Sequence, residues 1–306
     1  AAVSSEEVNQ MSSSEIVADM KVGWNLGNTL DSYDTSSSDN ETGWGNPKTT
    51  KAMIDTVKDA GFNAVRIPVT WGEHLSADNT IDADYLNRVQ EIVDYAIDDN
   101  LYVILNVHHD DALWLHPTYS EQAAVTEKLT AIWQQLCERF GDYDHHLVFE
   151  GMNEPRVIGS ATEWSGGTPE ERDVINQLYQ AFVDTVRATG GLNADRTLII
   201  SSHAQSITKE AVSAVKIPDD AHIAVSIHSY APWDFCGTED TRSDWGSDAD
   251  KQELDTNFQY LEDTFISKGV PVLLDEFGAV NKNNTSIRAQ YYAYYVKSAK
   301  AHGITC

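Results

Sequence analysis

Short apolar runs alternate along the chain with longer segments whose apolar residues recur every three or four positions. The short runs are 21–26 (KVGWNL), 62–67 (FNAVRI), 101–107 (LYVILNV), 147–152 (LVFEGM), 197–202 (TLIISS), 222–228 (HIAVSIH) and 271–276 (PVLLDE). Each has the continuous apolar character of a strand covered on both faces. Between them, helical periodicity predicts helices near 48–60, 84–99, 121–139, 170–189, 250–267 and 285–302, with a weaker one near 207–215. In 84–99, Leu86, Val89, Ile92, Val93 and Ala96 mark one buried helix face.

Seven strand-then-helix repeats without an intervening linker point to a single α/β domain over residues 1–306. An open doubly wound sheet lacks its usual Gly-rich turn here. The expected fold is therefore a (β/α)8 TIM barrel. After the last helix only Gly303, Ile304, Thr305 and Cys306 follow, so the barrel is expected to lack its eighth strand and closing helix. Strands one and seven would then have open edges. Cover by the N-terminal segment 1–20, or self-association through those edges, is the expected remedy. The Ser-rich stretch 35–38 and the segment 233–249 read as long loops on the face where strands end.

Composition narrows the partners. Asp and Glu number 48 against 21 Lys and Arg, a net charge of −27, on a chain that is 41% hydrophobic. Such a surface repels phosphate backbones and anionic lipid heads, which excludes nucleic acid and the membrane as expected partners. No run approaches the roughly 18 to 20 apolar residues that span a bilayer. Three scattered cysteines, Cys137, Cys236 and Cys306, suggest neither a disulfide scaffold nor a structural zinc site.

The chemistry sits where strands end. Asn153-Glu154-Pro155 follows the fourth strand, and Glu276 ends the seventh. A carboxylate at the tail of an apolar strand is costly unless it is paired or used. Two of them facing one mouth suit glycoside hydrolysis, in which one carboxyl protonates the leaving oxygen and the other attacks or activates water. His108-His109-Asp110-Asp111 offers a rival metal-binding reading. Adjacent strand residues point to opposite faces, which separates the two histidines and argues against it.

Motifs along nearly the whole chain resemble glycoside hydrolase family 5, in particular its bacterial endoglucanase, xyloglucanase and lichenase subfamily. They are GWNLGNTLD at 23–31, GWGNP at 43–47, FNAVRIPVTW at 62–71, VILNVHH at 103–109, LVFEGMNEP at 147–155, SIHSYAP at 226–232 and PVLLDEFGA at 271–279. The resemblance implies a retaining endo-β-1,4-glucanase with no metal or organic cofactor. Its partner would be a β-glucan polysaccharide or oligosaccharide, with cellulose, xyloglucan, lichenan and mannan all open.

On that resemblance Glu154 is the general acid/base and Glu276 the nucleophile, with carboxyls about 5 to 5.5 Å apart. Asn153 would meet the sugar 2-hydroxyl, Arg66 would keep Glu276 ionised, and Tyr230 would steady the same carboxylate. His228 would sit near Glu154. His108 would bind sugar hydroxyls, with His109 behind or beside it, and Asn28 and Trp44 would line the cleft. A polymeric substrate, the acidic surface and a start without Met fit a secreted protein. Family members carry a floor Trp on strand eight, so a chain ending at Cys306 is expected to be less active, or in the limit a glucan-binding fragment. Trp114, Trp164, Trp233 and Trp245 are candidate sugar platforms, whereas Tyr291, Tyr292, Tyr294 and Tyr295 on the last helix read as packing.

Overall fold

The computed structural model describes residues 3–35, 40–238 and 242–306. Part of the Ser-rich stretch and part of segment 233–249 thus lie outside the described residues. Seven strands, β1 (Gly23–Asn25), β2 (Ala64–Ile67), β3 (Tyr102–Asn106), β4 (Leu147–Glu150), β5 (Leu198–Ser206), β6 (Ile223–His228) and β7 (Val272–Glu276), pair in sequence order. All six pairings are parallel, so every strand ends at the same face of a nearly closed TIM barrel.

The helices are α1 (Ser5–Val8), α2 (Ser13–Asp19), α3 (Lys51–Asp59), α4 (Ala83–Asp98), α5 (Gln122–Phe140), α6 (Pro169–Ala188), α7 (Lys209–Val212), α8 (Trp233–Cys236), α9 (Asp248–Thr264) and α10 (Thr285–Ala301). In α4 the five apolar residues that predicted its face are all buried. Helix α6 starts at a capping box, Thr168 with Glu171, and has Pro169 in its first turn. Such a cap contributes about 1 kcal/mol. The expected helix near 207–215 shrinks to α7, and α8 lies in a segment read as loop. Tyr291 and Tyr295 are buried, as the packing reading requires.

The N-terminal segment corrects an expectation. It runs across the barrel floor, not along the open edges. Ser4 with Glu7 and Ser12 with Glu15 form capping boxes that start α1 and α2. Val8, Ile16, Val17 and Met20 then plug the interior against Ala64, Tyr102, Ile104, Val148, Ile199, Ala224 and Leu273. The edges near the floor are joined by the last residues instead. Thr305 N–H donates to Val272 (3.2 Å), Leu274 N–H donates to Thr305 (2.7 Å), and Gly23 N–H donates to Cys306 (2.9 Å). Above this bridge a groove of about 520 Å³ separates β1 from β7. The Asn25 amide spans it to the Asp275 carbonyl at 2.8 Å.

Two residues further along five of the strands, the apolar interior becomes polar. Ala64 gives way to Arg66, Ile104 to Asn106, Val148 to Glu150, Ala224 to Ser226 and Leu273 to Asp275. The period-two alternation of a strand puts each pair on the same inward side. The result is an apolar plug beneath a buried polar layer, on the side of the barrel where Glu154 and Glu276 stand.

Candidate active site

Arg66 organises the polar layer. Its Nε and Nη2 donate to Glu150 (2.7 and 2.8 Å), Nη1 donates to Glu276 Oε1 (2.7 Å), and Nη2 also donates to Asn153 Oδ1 (2.7 Å). Burial opposes its charge, but Glu150, Asp275 and Glu276 more than compensate, so the guanidinium stays protonated. Its bond to Asn153 Oδ1 leaves the Asn153 NH2 as the free donor. Glu276 Oε2 accepts from the Tyr230 hydroxyl at 2.8 Å. Burial alone would raise the Glu276 carboxyl, yet the positive charges of His228 and Arg66, with the Tyr230 and Arg66 hydrogen bonds, bring it down to about 2. Glu276 is thus an anion over the whole neutral range.

Glu154 stands opposite. His228 Nδ1 lies 2.8 Å from Glu154 Oε1 and 3.5 Å from Glu276 Oε2, while Nε2 lies 3.4 Å from Asp275 Oδ1. Burial would neutralise this imidazole, but Glu276, Asp275 and Glu154 raise it to about 10, so it is a cation between carboxylates. Carboxylate oxygens of Glu154 and Glu276 and a His228 ring nitrogen lie within 4.8 Å of one another. The Glu154 backbone is left-handed, φ 41°, as are Ala204 (51°) and Gln205 (48°) at the end of β5. These strained residues brace each other. Glu154 N–H donates to Gln205 Oε1 (2.7 Å), and Ala204 N–H donates to Pro155 (3.0 Å).

The two adjacent histidines share the cleft, which corrects the expectation that they point apart. β3 ends at Asn106, and the chain turns at His108 (φ −99°, ψ −98°) into a short 3₁₀ turn. The two rings meet edge to face at 4.4 Å, so the strand rule no longer applies. Asp31 joins them, 3.8 Å from His109 Nε2, which revives the metal reading on distance alone. The tautomer argues against it. Val69 N–H donates to Asn106 Oδ1, so Asn106 Nδ2 faces His108 Nδ1 at 3.0 Å and that nitrogen accepts. Nε2 then carries the hydrogen and presents a donor to the cleft, 4.0 Å from Glu276. Burial, together with His109, Arg66 and His228, keeps His108 neutral.

Asn28 and Asp31 line the same cleft of about 360 Å³ as His108, His109, Asn153, Glu154, Tyr230 and Glu276. The larger groove at the open edge holds neither glutamate. Asn46 of the second motif donates to the Gly27 and Asn28 carbonyls at 2.9 and 3.0 Å, which ties 43–47 to 23–31. Trp44, 40% exposed, packs on Tyr33 and His109 at 5.3 and 5.6 Å. Among the other tryptophans, Trp245 is core, packed on Tyr291 and Tyr294, and Trp114 donates to Asp110. Trp164 and Trp233 stay exposed.

Several site residues went unread in the sequence. Glu150 and Asp275 are buried carboxylates inside apolar runs, the very signal that singled out Glu154 and Glu276. Burial raises the Glu150 carboxyl against the pull of Arg66. Gln205 donates to Glu150 (3.2 Å) and to Ser226, whose hydroxyl donates to Asp275. Arg156 touches the Glu154 carbonyl (2.9 Å) and carboxylate (3.4 Å) and donates to buried Asp111 (2.7 Å), a carboxyl that burial pushes up to about 7.

Comparison with known proteins places this geometry in a family. The cellulase family, glycosyl hydrolase family 5, matches residues 28–306. Endoglucanase A of Clostridium longisporum is 48% identical across 98% of this chain, which spans 60% of that protein's length. Among solved structures, a broad-specificity endoglucanase of the same family from Clostridium acetobutylicum superposes with a TM-score of 0.93 at 50% identity, covering 97% of this chain and 89% of that one. A xyloglucan-specific endo-β-1,4-glucanase from a metagenomic library, in complex with cellotriose, gives 0.91 at 46% identity, with 95% and 87% covered. The chain belongs to the cellulase family, glycosyl hydrolase family 5.

Proposed function

We propose that the protein is a secreted, retaining endo-β-1,4-glucanase that cuts internal bonds of cellulose or a related β-glucan by double displacement. The observation that carries the reading is the pair of carboxylates within 4.8 Å of each other, near the spacing of about 5 to 5.5 Å used by retaining enzymes. Inverting enzymes leave about 6.5 to 9.5 Å for a water. In the first step the Glu276 carboxylate attacks the anomeric carbon, the glycosidic C–O bond breaks, and the Glu154 proton goes to the departing oxygen. In the second, Glu154 takes a proton from water, the oxygen bonds to the anomeric carbon, and the ester to Glu276 breaks.

The surrounding groups fit these roles. Arg66 and Tyr230 hold Glu276 anionic and aimed. The free NH2 of Asn153 can donate to a sugar hydroxyl, and the His108 Nε2–H is a second fixed donor. The relative seen with cellotriose supports a β-1,4-glucan ligand. An insoluble polymer outside the cell and a net charge of −27 support export. Proton NMR of the first anomer released from a soluble β-glucan tests the mechanism. A β-anomer is expected, and an initial α-anomer would refute retention. Failure to release reducing ends would favour the glucan-binding alternative.

A further inference from the structure

Two irregularities in the sheet bring polar groups to Glu154 from three strands. The pairing of β5 with β6 shifts register between Ser201 and Ser206, and that of β6 with β7 shifts between Ser226 and His228. Such bulges re-aim side chains. Gln205, left-handed and fully buried, lies within the first shift, and His228 closes the second. Hydrogen-bond directions then follow from one fixed donor. The Glu154 backbone N–H can only donate, so Oε1 of Gln205 faces it and Nε2 must donate elsewhere. Nε2 donates to Ser226 Oγ, which leaves the single Ser226 proton for Asp275 Oδ1. That same oxygen lies 3.4 Å from His228 Nε2, a buried nitrogen with no hydrogen-bond partner of its own among the described residues. The other ring nitrogen returns to Glu154, 2.8 Å from Oε1. A circuit that leaves from the backbone of Glu154 thus comes back to its carboxylate.

We infer, resting on the proposed role of Glu154, that Gln205 and Asp275 are positioning residues for the acid/base. Gln205 sets the strained backbone from which Glu154 projects, and Asp275 holds His228 as the cation against its carboxylate. With Oε1 taken by His228, the proton exchanged with the departing sugar travels on Oε2, which Arg156 approaches at 3.4 Å. Other charges stand close by. Glu276 (3.5 Å), Glu150 and His108 also face the His228 ring, and Arg66 lies 3.5 Å from Asp275 Oδ2. Arg156, Asp111, His109 and Tyr230 act on Glu154. All of them stay in Asp275→Asn, which keeps the side chain's shape and deletes one negative charge. A proton then leaves the Glu154–His228 pair more easily, whichever member holds it.

The test reads both arms of the circuit in the whole chain. In Asp275→Asn the His228 ring, followed by NMR, is expected to titrate about one pH unit below wild type, and the alkaline limb of kcat/KM on a soluble β-glucan to move down with it. A folded variant with ring and limb at their wild-type positions would overturn the part given to Asp275. Gln205→Leu keeps every charge and serves as the second variant should Asp275→Asn fail to fold. It should lower kcat/KM on the β-glucan about tenfold more than on an activated aryl β-cellobioside, which needs little protonation. Equal losses on the two substrates would overturn the part given to Gln205, since a merely structural residue lowers both alike. The ring's titration is read without turnover, which separates the two levels of the reading. A wild type that releases no reducing ends overturns the proposed function, and the acid/base role of the circuit with it, even where the ring's midpoint moves; an unmoved midpoint beside an active wild type overturns the circuit alone.

Discussion

Glu276 ends an extended strand and accepts hydrogen bonds from Arg66 and Tyr230, whereas Glu154 sits in left-handed backbone with His228 as its short side-chain partner among the described residues. Both face the same cleft. The first is clamped by Arg66, buried on β2, and by the Tyr230 hydroxyl just past the end of β6, and both favour its charged form. The second is held mainly through its backbone, by Gln205, while its carboxyl touches His228 and, more distantly, Arg156. The difference follows from the proposed duties. A nucleophile must remain ionised and aimed, while an acid/base must give up a proton and take one back within each cycle.

The largest expected effect separates the two directly. Glu276→Ala should abolish turnover of β-glucan and activated aryl glycoside alike, with azide giving partial rescue and an inverted product. Glu154→Ala should slow β-glucan hydrolysis by about 10²- to 10⁴-fold yet spare the activated substrate, which needs little protonation. Indistinguishable responses to the aryl glycoside would erase the contrast.

Next comes the clamp. Arg66→Ala leaves Glu150, Asp275 and Glu276 sharing a buried layer without their arginine, and should cost about 3 to 5 kcal/mol in urea unfolding as well as activity. An unchanged midpoint would mean that the layer does not depend on it.

His228 touches both carboxylates, and its stability term has a defined sign. Its folded value of about 10 lies above the ordinary 6.5, so its contribution is complete below pH 6.5 and drains as pH rises through 10. The Tm gap between wild type and His228→Asn should therefore be widest below pH 6.5 and narrow toward pH 10. A gap that widened with pH would reverse the assignment. The smallest effect is on Glu276 alone. Tyr230→Phe removes one donor to the carboxylate, raises its pKa, and should move the acid limb of kcat/KM upward with about a tenfold loss at most. A shift downward would contradict the clamp.

Strands, most long helices and both glutamates were legible because each rests on a local pattern: apolar runs, three-and-four spacing, or a charge ending a strand. Glu150 and Asp275 carried the same signal but stood within their runs, where a charge reads as an interruption until the barrel supplies Arg66. The capping boxes at Ser4 and Ser12 were visible too, yet α1 and α2 are too short to show a helical period. Gln205 and Arg156 had no such mark. Their roles depend on backbone strain at Glu154 and on a loop that folds over it. The histidine pair misled because the strand stops two residues before His108, and alternation stops with it.

The left-handed conformation at Glu154 also bears on how the protein can change. A non-glycine residue there carries about 1 to 2 kcal/mol of steric cost. A glycine at position 154 would relax that cost while deleting the carboxyl. Selection or laboratory screening for heat resistance alone would therefore be drawn toward the loss of the proposed acid/base. Durability and turnover pull in opposite directions at this one residue, so any campaign to harden the barrel has to score hydrolysis at every round.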